Sequence, residues 1–373
     1  MSVCLLCEEQ LTEANDSREH IIPNSIGGFK KTKGFICIRC NGKAGETWDA
    51  ALSKEMNKLS LFFRIERDRG DNKRELIETT AGEKLIYGKG TLEFYRPKID
   101  IAPVDTGGVR LSISAKDMAQ ARQILEGQKR KYKSIDVDEM LKQATSSLTY
   151  PRGAMHFDLQ WNQDGAGRSW VKTALALINE SGFNPSDCLN ATNYLLRDGE
   201  PCFGYYYKDD LVKNRPVGIP LHCILVIADK SNKTIQGYLE YFGMLRVVFN
   251  LSDSYEGESY KIGYAIDPKT GNEILIDFDF QFSKEEIEDI YDYKYYDSEV
   301  QKKIMGDVIG PEIKSQQEGH FEAVLASASA KIAEKFKGEE LTTREQINTV
   351  VDSYMKELEP HLIHWIRKGR DVD

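Results

Sequence analysis

No run of about eighteen apolar residues occurs in the chain, so the pattern holds no candidate for a membrane-spanning helix. The first residues, Met1 to Cys7, lack the basic segment and apolar stretch of a secretory signal, and the expectation is a cytoplasmic protein with no membrane partner. Positive charge is in deficit: 50 Lys and Arg face 59 Asp and Glu, a net charge of -9. Phosphate binding rests on neutralisation by Lys and Arg, so this balance excludes a protein that coats nucleic acid over its whole surface, and any nucleic-acid contact must concentrate its cations. Cysteine is sparse and odd in number, seven in 373 residues, which does not suit a disulfide framework and fits a reducing compartment. There is no Walker A loop, no dinucleotide fingerprint, no internal repeat and no low-complexity linker.

What the chain does have is gathered in its first fifty residues. Cys4-Leu5-Leu6-Cys7 and Cys37-Ile38-Arg39-Cys40 are two C-x-x-C knuckles at a spacing that lets four thiolates close a tetrahedral site around one zinc. Alone, such a pair more often marks a zinc ribbon that only holds a fold than a catalytic site. Between the knuckles lies Glu19-His20-Ile21-Ile22-Pro23, and after them come Asn41 and Asp49. Glu19 and His20 read as the first strand of a small hairpin, with Gly27-Gly28 turning the chain and Gly34-Phe35-Ile36 returning as the second strand. Ala44, Trp48, Ala51, Leu52 and Met56 recur at helical spacing and place Asp49 on a helix.

Over roughly residues 4 to 55 this order of motifs resembles the HNH endonuclease family, in particular its members with zinc knuckles. The resemblance implies a ββα-metal unit that hydrolyses phosphodiester bonds of DNA. His20 would be the general base, Glu19 and Asp49 the ligands of a catalytic divalent ion, and Asn41 a brace for the loop that carries the histidine. Cys4, Cys7, Cys37 and Cys40 would hold a separate structural Zn²⁺. Aspartate at position 49, where many members have histidine, favours a hard ion such as Mg²⁺ or Mn²⁺. Lys30, Lys31 and Lys33 are candidate contacts to the nucleic acid, with a solvated loop as the alternative.

The fold class expected is α+β: a small zinc-stapled ββα-metal unit, residues 1–58, then a larger mixed region, 59–373, with an antiparallel sheet, C-terminal helices and room for a further boundary near 150. Strand-like segments fall at 59–65, 75–80, 84–87, 91–95 and 109–114, and helices at 116–125 and 137–144. A strand is expected at 155–161, then a glycine-containing loop over 162–168 that either connects or cradles a phosphate, then a helix over 169–179. An antiparallel meander is expected over 220–280 and helices at 284–291, 321–336 and 343–367. Three further features carry open readings. Residues 128–133 are the densest basic run, Asp277 and Asp279 alternate with aromatics, and His361 and His364 share a helix face. Cys188, Cys202 and Cys223 read as small core residues. No motif beyond about residue 60 connects to chemistry. Some HNH nucleases, bacterial antiviral effectors among them, carry a partner domain that selects the DNA or senses a signal. The alternatives to a freely acting endonuclease are therefore an effector switched on by a ligand or protein partner at the C-terminal region, and a non-catalytic zinc-stabilised nucleic-acid-binding module.

Overall fold

A computed structural model describes residues 2–88, 90–103, 109–144, 150–157, 159, 163–196 and 199–370, with only the backbone of 163, 164 and 367–370. The chain divides into two compact units, Met1–Arg74 with Gly88–Gly90 and Phe157–Glu312 in one, and Glu75–Tyr87 with Thr91–His156 and Ile313–Asp373 in the other.

The N-terminal hairpin pairs β1 (Glu19–His20) with β2 (Lys31–Thr32), Glu19 opposite Thr32 and His20 opposite Lys31. The second strand thus lies before 34–36, where it was expected, because Gly34 adopts φ 68° and ends the extended run. Residues 35–37 still return along the hairpin through single contacts: Ser17 N–H donates to Ile36 O and Asp16 bridges Cys37. Between the strands, Asn24–Ile26 form one 3-10 turn closed by Gly27 at φ 90°. Gly28 has no room for a side chain, since a Cβ there would lie 1.7 Å from Ile22 O. Helix α1 (Ile38–Glu46) is capped by the Cys37 sulfur, and a break at Thr47 separates it from α2 (Trp48–Phe62), whose first turn holds Asp49. Residues 59–62 are therefore helix, not strand. Leu59, Leu61 and Phe62 make a short apolar stretch interrupted only by Ser60, a pattern that buried helix and buried strand share.

In the second unit, β3 (Glu75–Glu78), β4 (Lys84–Gly88) and β5 (Thr91–Phe94) form a three-stranded sheet in that order. Strand β6 (Lys98–Pro103), not foreseen, pairs with β7 (Val109–Ser114), and α3 (Met118–Lys129) and α4 (Val137–Lys142) follow. The basic run 128–133 is the end of α3 and the turn after it, with its four cations exposed. Of the strand expected at 155–161, Met155 makes a single bridge to Thr79, while Asp158, Gln160 and Trp161 lie outside the described residues.

Back in the first unit, α5 (Gln163–Glu180) begins at the residues expected to form a loop, so 163–168 are helix and offer no phosphate cradle of loop form; Asn162 is outside the described residues. Short α6 (Leu189–Leu196) leads to β8 (Phe203–Tyr205), β9 (His222–Asp229), β10 (Thr234–Tyr241), β11 (Leu245–Ser252) and β12 (Tyr260–Ile266). These make one antiparallel sheet in the order β12-β9-β10-β11-β8. The expected meander holds for β9 to β11, but β12 crosses to pair with β9. Residues 274–280 add no strand: Asp277 N–H bonds Asn214, Lys213 N–H bonds Asp277 O, and Phe278, Phe280 and Phe282 cover one sheet face instead. Cys188, Cys202 and Cys223 are free and buried.

Helix α5 packs against α2 and both hairpin strands as well as β9, β10 and β12. Trp170, Val171, Ala174, Leu175 and Ile178 share one core with Ile21, Ile22, Phe35, Leu52, Met56 and Phe63 of the N-terminal segment and with Ile224, Val226 and Leu239 of the sheet. The small N-terminal segment thus borrows its core from later chain, as a unit of its size requires.

Helix α7 (Lys284–Tyr291) closes the sheet region with a Ser283–Glu286 capping box. The long α8 (Ser298–Lys335) extends well ahead of the expected start, and in the second unit it runs antiparallel to α9 (Arg344–Arg370), packing Val324 and Ala328 on Leu358. There Tyr150 Oη lies 2.7 Å from His320 Nε2 and 2.5 Å from His361 Nδ1, with the His364 ring stacked on Tyr150. No helix among the described residues is long and apolar enough to cross a membrane.

Candidate active site and metal centre

The four knuckle cysteines converge. Their sulfurs all lie within 4.8 Å of one another, and they are the one group of three or more His, Cys, Asp or Glu within metal reach among the described residues. Cys7 Sγ and Cys37 Sγ are 3.8 Å apart, matching the edge of about 3.8 Å that Zn–S bonds of about 2.3 Å give a tetrahedron. Backbone N–H groups of Cys37 and Cys40 point at Cys4 Sγ (3.3 Å) and Cys37 Sγ (3.4 Å). Burial raises the Cys4 and Cys40 thiols, while the Glu9 backbone N–H pulls Cys7 down to about 7. An all-thiolate, closed and half-buried set of this kind suits structural zinc.

His20 and Glu19, adjacent on β1, face different partners. Their side chains alternate across the strand. The His20 ring is buried, with Nε2 3.1 Å from Asp68 Oδ2, and the same Asp68 oxygen takes Lys31 Nζ at 2.5 Å. Burial lowers the His20 pKa despite Asp68, and the hydrogen bonds from Lys31 and then His20 lower that of Asp68. His20 is therefore neutral at pH 7 and Asp68 ionised, so Nε2 carries the proton that Asp68 accepts. Asn24 holds the Asp68 loop in place by bonding both the N–H and the carbonyl of Arg69.

On the other side, Glu19 Oε1 accepts from Lys172 Nζ at 2.6 Å, and Asp49 Oδ2 accepts from the same nitrogen at 2.5 Å. Asp49 Oδ1 accepts from Ser169 Oγ at 2.6 Å. Asn41 bonds Glu19 and donates to Ser17 Oγ at 3.2 Å, and Ser17 Oγ donates to Ile36 O. Burial raises the Glu19 carboxyl, with Lys172 opposing. For Lys172, burial works against the charge, but Asp49 and Glu19 outweigh it and hold the ammonium protonated.

Residues 4–57 match the family model described as HNH endonuclease. By that match the segment is similar to an HNH endonuclease domain, hereafter the HNH domain. Comparisons of the whole chain with curated proteins and with solved structures give no match.

Within the HNH domain, Glu19 and Asp49 meet at Lys172, Asn41 ties Glu19 to Ser17, and His20 stands apart with Asp68. The three loop lysines do not gather. Lys30 lies 3.7 Å from Glu273 and over the Tyr264 ring, Lys31 is on Asp68, and Lys33 is exposed. Asp68, Ser169 and Lys172 escaped sequence reasoning because all three lie outside the motif. Lys172 did leave a trace, as the one charge in the otherwise neutral stretch between Arg168 and Glu180. Two carboxylates are the right donors for a hard divalent ion. With the Lys172 ammonium on an oxygen of each and Ser169 on the remaining Asp49 oxygen, the residues as packed do not fit one, since ion and ammonium claim the same place.

Proposed function

We propose that the HNH domain hydrolyses phosphodiester bonds of DNA, with His20 as general base and the rest of the chain controlling or directing the cut. The observation that carries this is the His20–Asp68 contact, within a segment matching an endonuclease family. Asp68 accepts a hydrogen bond from Nε2–H and leaves Nδ1 as the nitrogen that takes a proton from the attacking water, the logic of a carboxylate that sets an imidazole's tautomer. Burial that keeps the ring neutral keeps it in the basic form at pH 7. Asn41 acts through Ser17 and Glu19 as a positioning residue for the strand that carries the base.

The test is cleavage of supercoiled plasmid by the purified chain across a series of Mn²⁺ concentrations. His20→Ala is expected to lower the rate by about 10²- to 10⁴-fold, the usual share of a general base. Zinc content and thermal stability should stay near wild type. Undiminished cutting by His20→Ala would remove the histidine from the mechanism, and a wild-type chain that binds DNA without ever cutting it would leave the non-catalytic module and the effector held inactive until switched on.

A further inference from the structure

We propose that Lys172 is a built-in competitor of the divalent ion: its ammonium fills the cation place between Glu19 and Asp49, and an ion enters only when Lys172 leaves. The inference rests on reading Glu19 and Asp49 as the ion-binding carboxylates of the HNH domain.

Three observations carry it. First, one nitrogen serves both carboxylates, Nζ lying 2.6 Å from Glu19 Oε1 and 2.5 Å from Asp49 Oδ2. These are short, charge-assisted contacts to one nitrogen, and they place the ammonium where a bridging cation would sit. Second, Lys172 is 1% exposed and Glu19 5%, so the ammonium cannot swing into solvent while α5 stays packed, and a second cation beside it would meet an unscreened like charge. The same burial keeps Nζ from touching a substrate, which argues against a catalytic role. Third, Lys172 does not belong to the HNH segment. It comes from α5, whose neighbours Trp170, Val171 and Ala174 are buried in the core shared with the sheet. Asn179, two turns on, donates to Thr32 Oγ1 and Lys33 O of the hairpin and holds α5 in register with β2. Control of the site is thereby wired to the part of the chain without a nuclease motif.

The deciding measurement is Mn²⁺ binding to the zinc-loaded full chain, followed by electron paramagnetic resonance, for wild type, Asp49→Asn and Lys172→Met. Wild type is expected to bind Mn²⁺ only weakly, with no tight site that Asp49→Asn removes. Lys172→Met, whose side chain keeps the length but not the charge, should bind one Mn²⁺ at least about tenfold more tightly. A tight, Asp49-dependent Mn²⁺ site in wild type would overturn the proposal, as would a folded Lys172→Met chain that binds no better than wild type. Should Lys172→Met fail to fold, the wild-type and Asp49→Asn titrations decide alone. Because binding is read without cleavage, a chain that gains Mn²⁺ on losing Lys172 yet never cuts DNA would separate failure of the nuclease reading from failure of this one.

Discussion

Cys37→Ser is expected to release the zinc and unfold the HNH domain. Serine is among the best residues at a helix N-cap, so the cap that the Cys37 sulfur provides to α1 survives the exchange, and what is lost is the metal. The dependence should be strong because the knuckle end of the segment has little regular structure of its own. Its strands are two residues each, and its first knuckle is tied to the second mainly through Leu5 N–H to Phe35 O and Cys37 N–H to Cys4 Sγ. Structural zinc in comparable small units is worth about 10–16 kcal/mol of apparent binding free energy, against about 5–15 kcal/mol for the net stability of a whole domain. The measurements are zinc stoichiometry and a thermal melt. The variant should fall from one zinc to none and lose about 10 °C or more in melting temperature, and a strong chelator should do the same to wild type. Full zinc retention by Cys37→Ser would refute the tetrathiolate site.

The second large effect is expected at His222, which locks the sheet to the HNH domain and makes that lock sensitive to acid. Its ring is fully buried, Nε2 donating to Ile26 O at 2.9 Å and Nδ1 accepting from Phe242 N–H at 2.8 Å. With one nitrogen donating and the other accepting, only the neutral ring fits, and burial pushes its pKa down to about 3. The unfolded chain's histidine titrates near 6.5. A folded value below the unfolded one means that the unfolded state takes up the proton first as pH falls. The His222 contribution is thus whole above about pH 6.5 and is lost progressively down to about pH 3, at roughly 1.4 kcal/mol per pH unit and up to about 5 kcal/mol in all. His222→Phe leaves Ile26 O and Phe242 N–H unpaired and should cost about 2–5 kcal/mol at pH 7, but it removes the titration. Denaturant unfolding of both chains at pH 7, 5.5 and 4 should show the wild-type advantage shrinking with acid. A gap that stays constant would mean that His222 does not titrate in this window.

Much of the local structure was legible because its signals are short-range. Cys4, Cys7, Cys37 and Cys40 announce a tetrathiolate site by spacing alone, and strand-like runs bounded by turn residues marked β9, β10, β11 and β12 within a residue or so of their ends. Helical periodicity put Asp49 on a helix but did not reveal the break at Thr47, which depends on one residue's backbone angles. Errors fell where a pattern has two physical solutions. The short apolar stretch from Leu59 to Phe63 suits helix or strand. The glycines at 165 and 167 suggest a loop, yet both lie on α5, where a Cβ at Gly167 would strike Phe203 and Tyr194. Gly167 is there for close packing, not for a turn.

The sequence by itself determined that the chain carries four cysteines at metal-binding spacing and, in order, the residues that match an HNH domain. Both are read from residue type and spacing, which the local backbone preserves. Only the tertiary structure decided what surrounds them. Asp68 reaches His20 from 48 positions away, and Lys172 reaches Glu19 from 153 and Asp49 from 123. Such contacts follow from how α5 packs between hairpin and sheet, and packing depends on the shape of the whole core, so no local pattern encodes which cation the Glu19 and Asp49 carboxylates will meet.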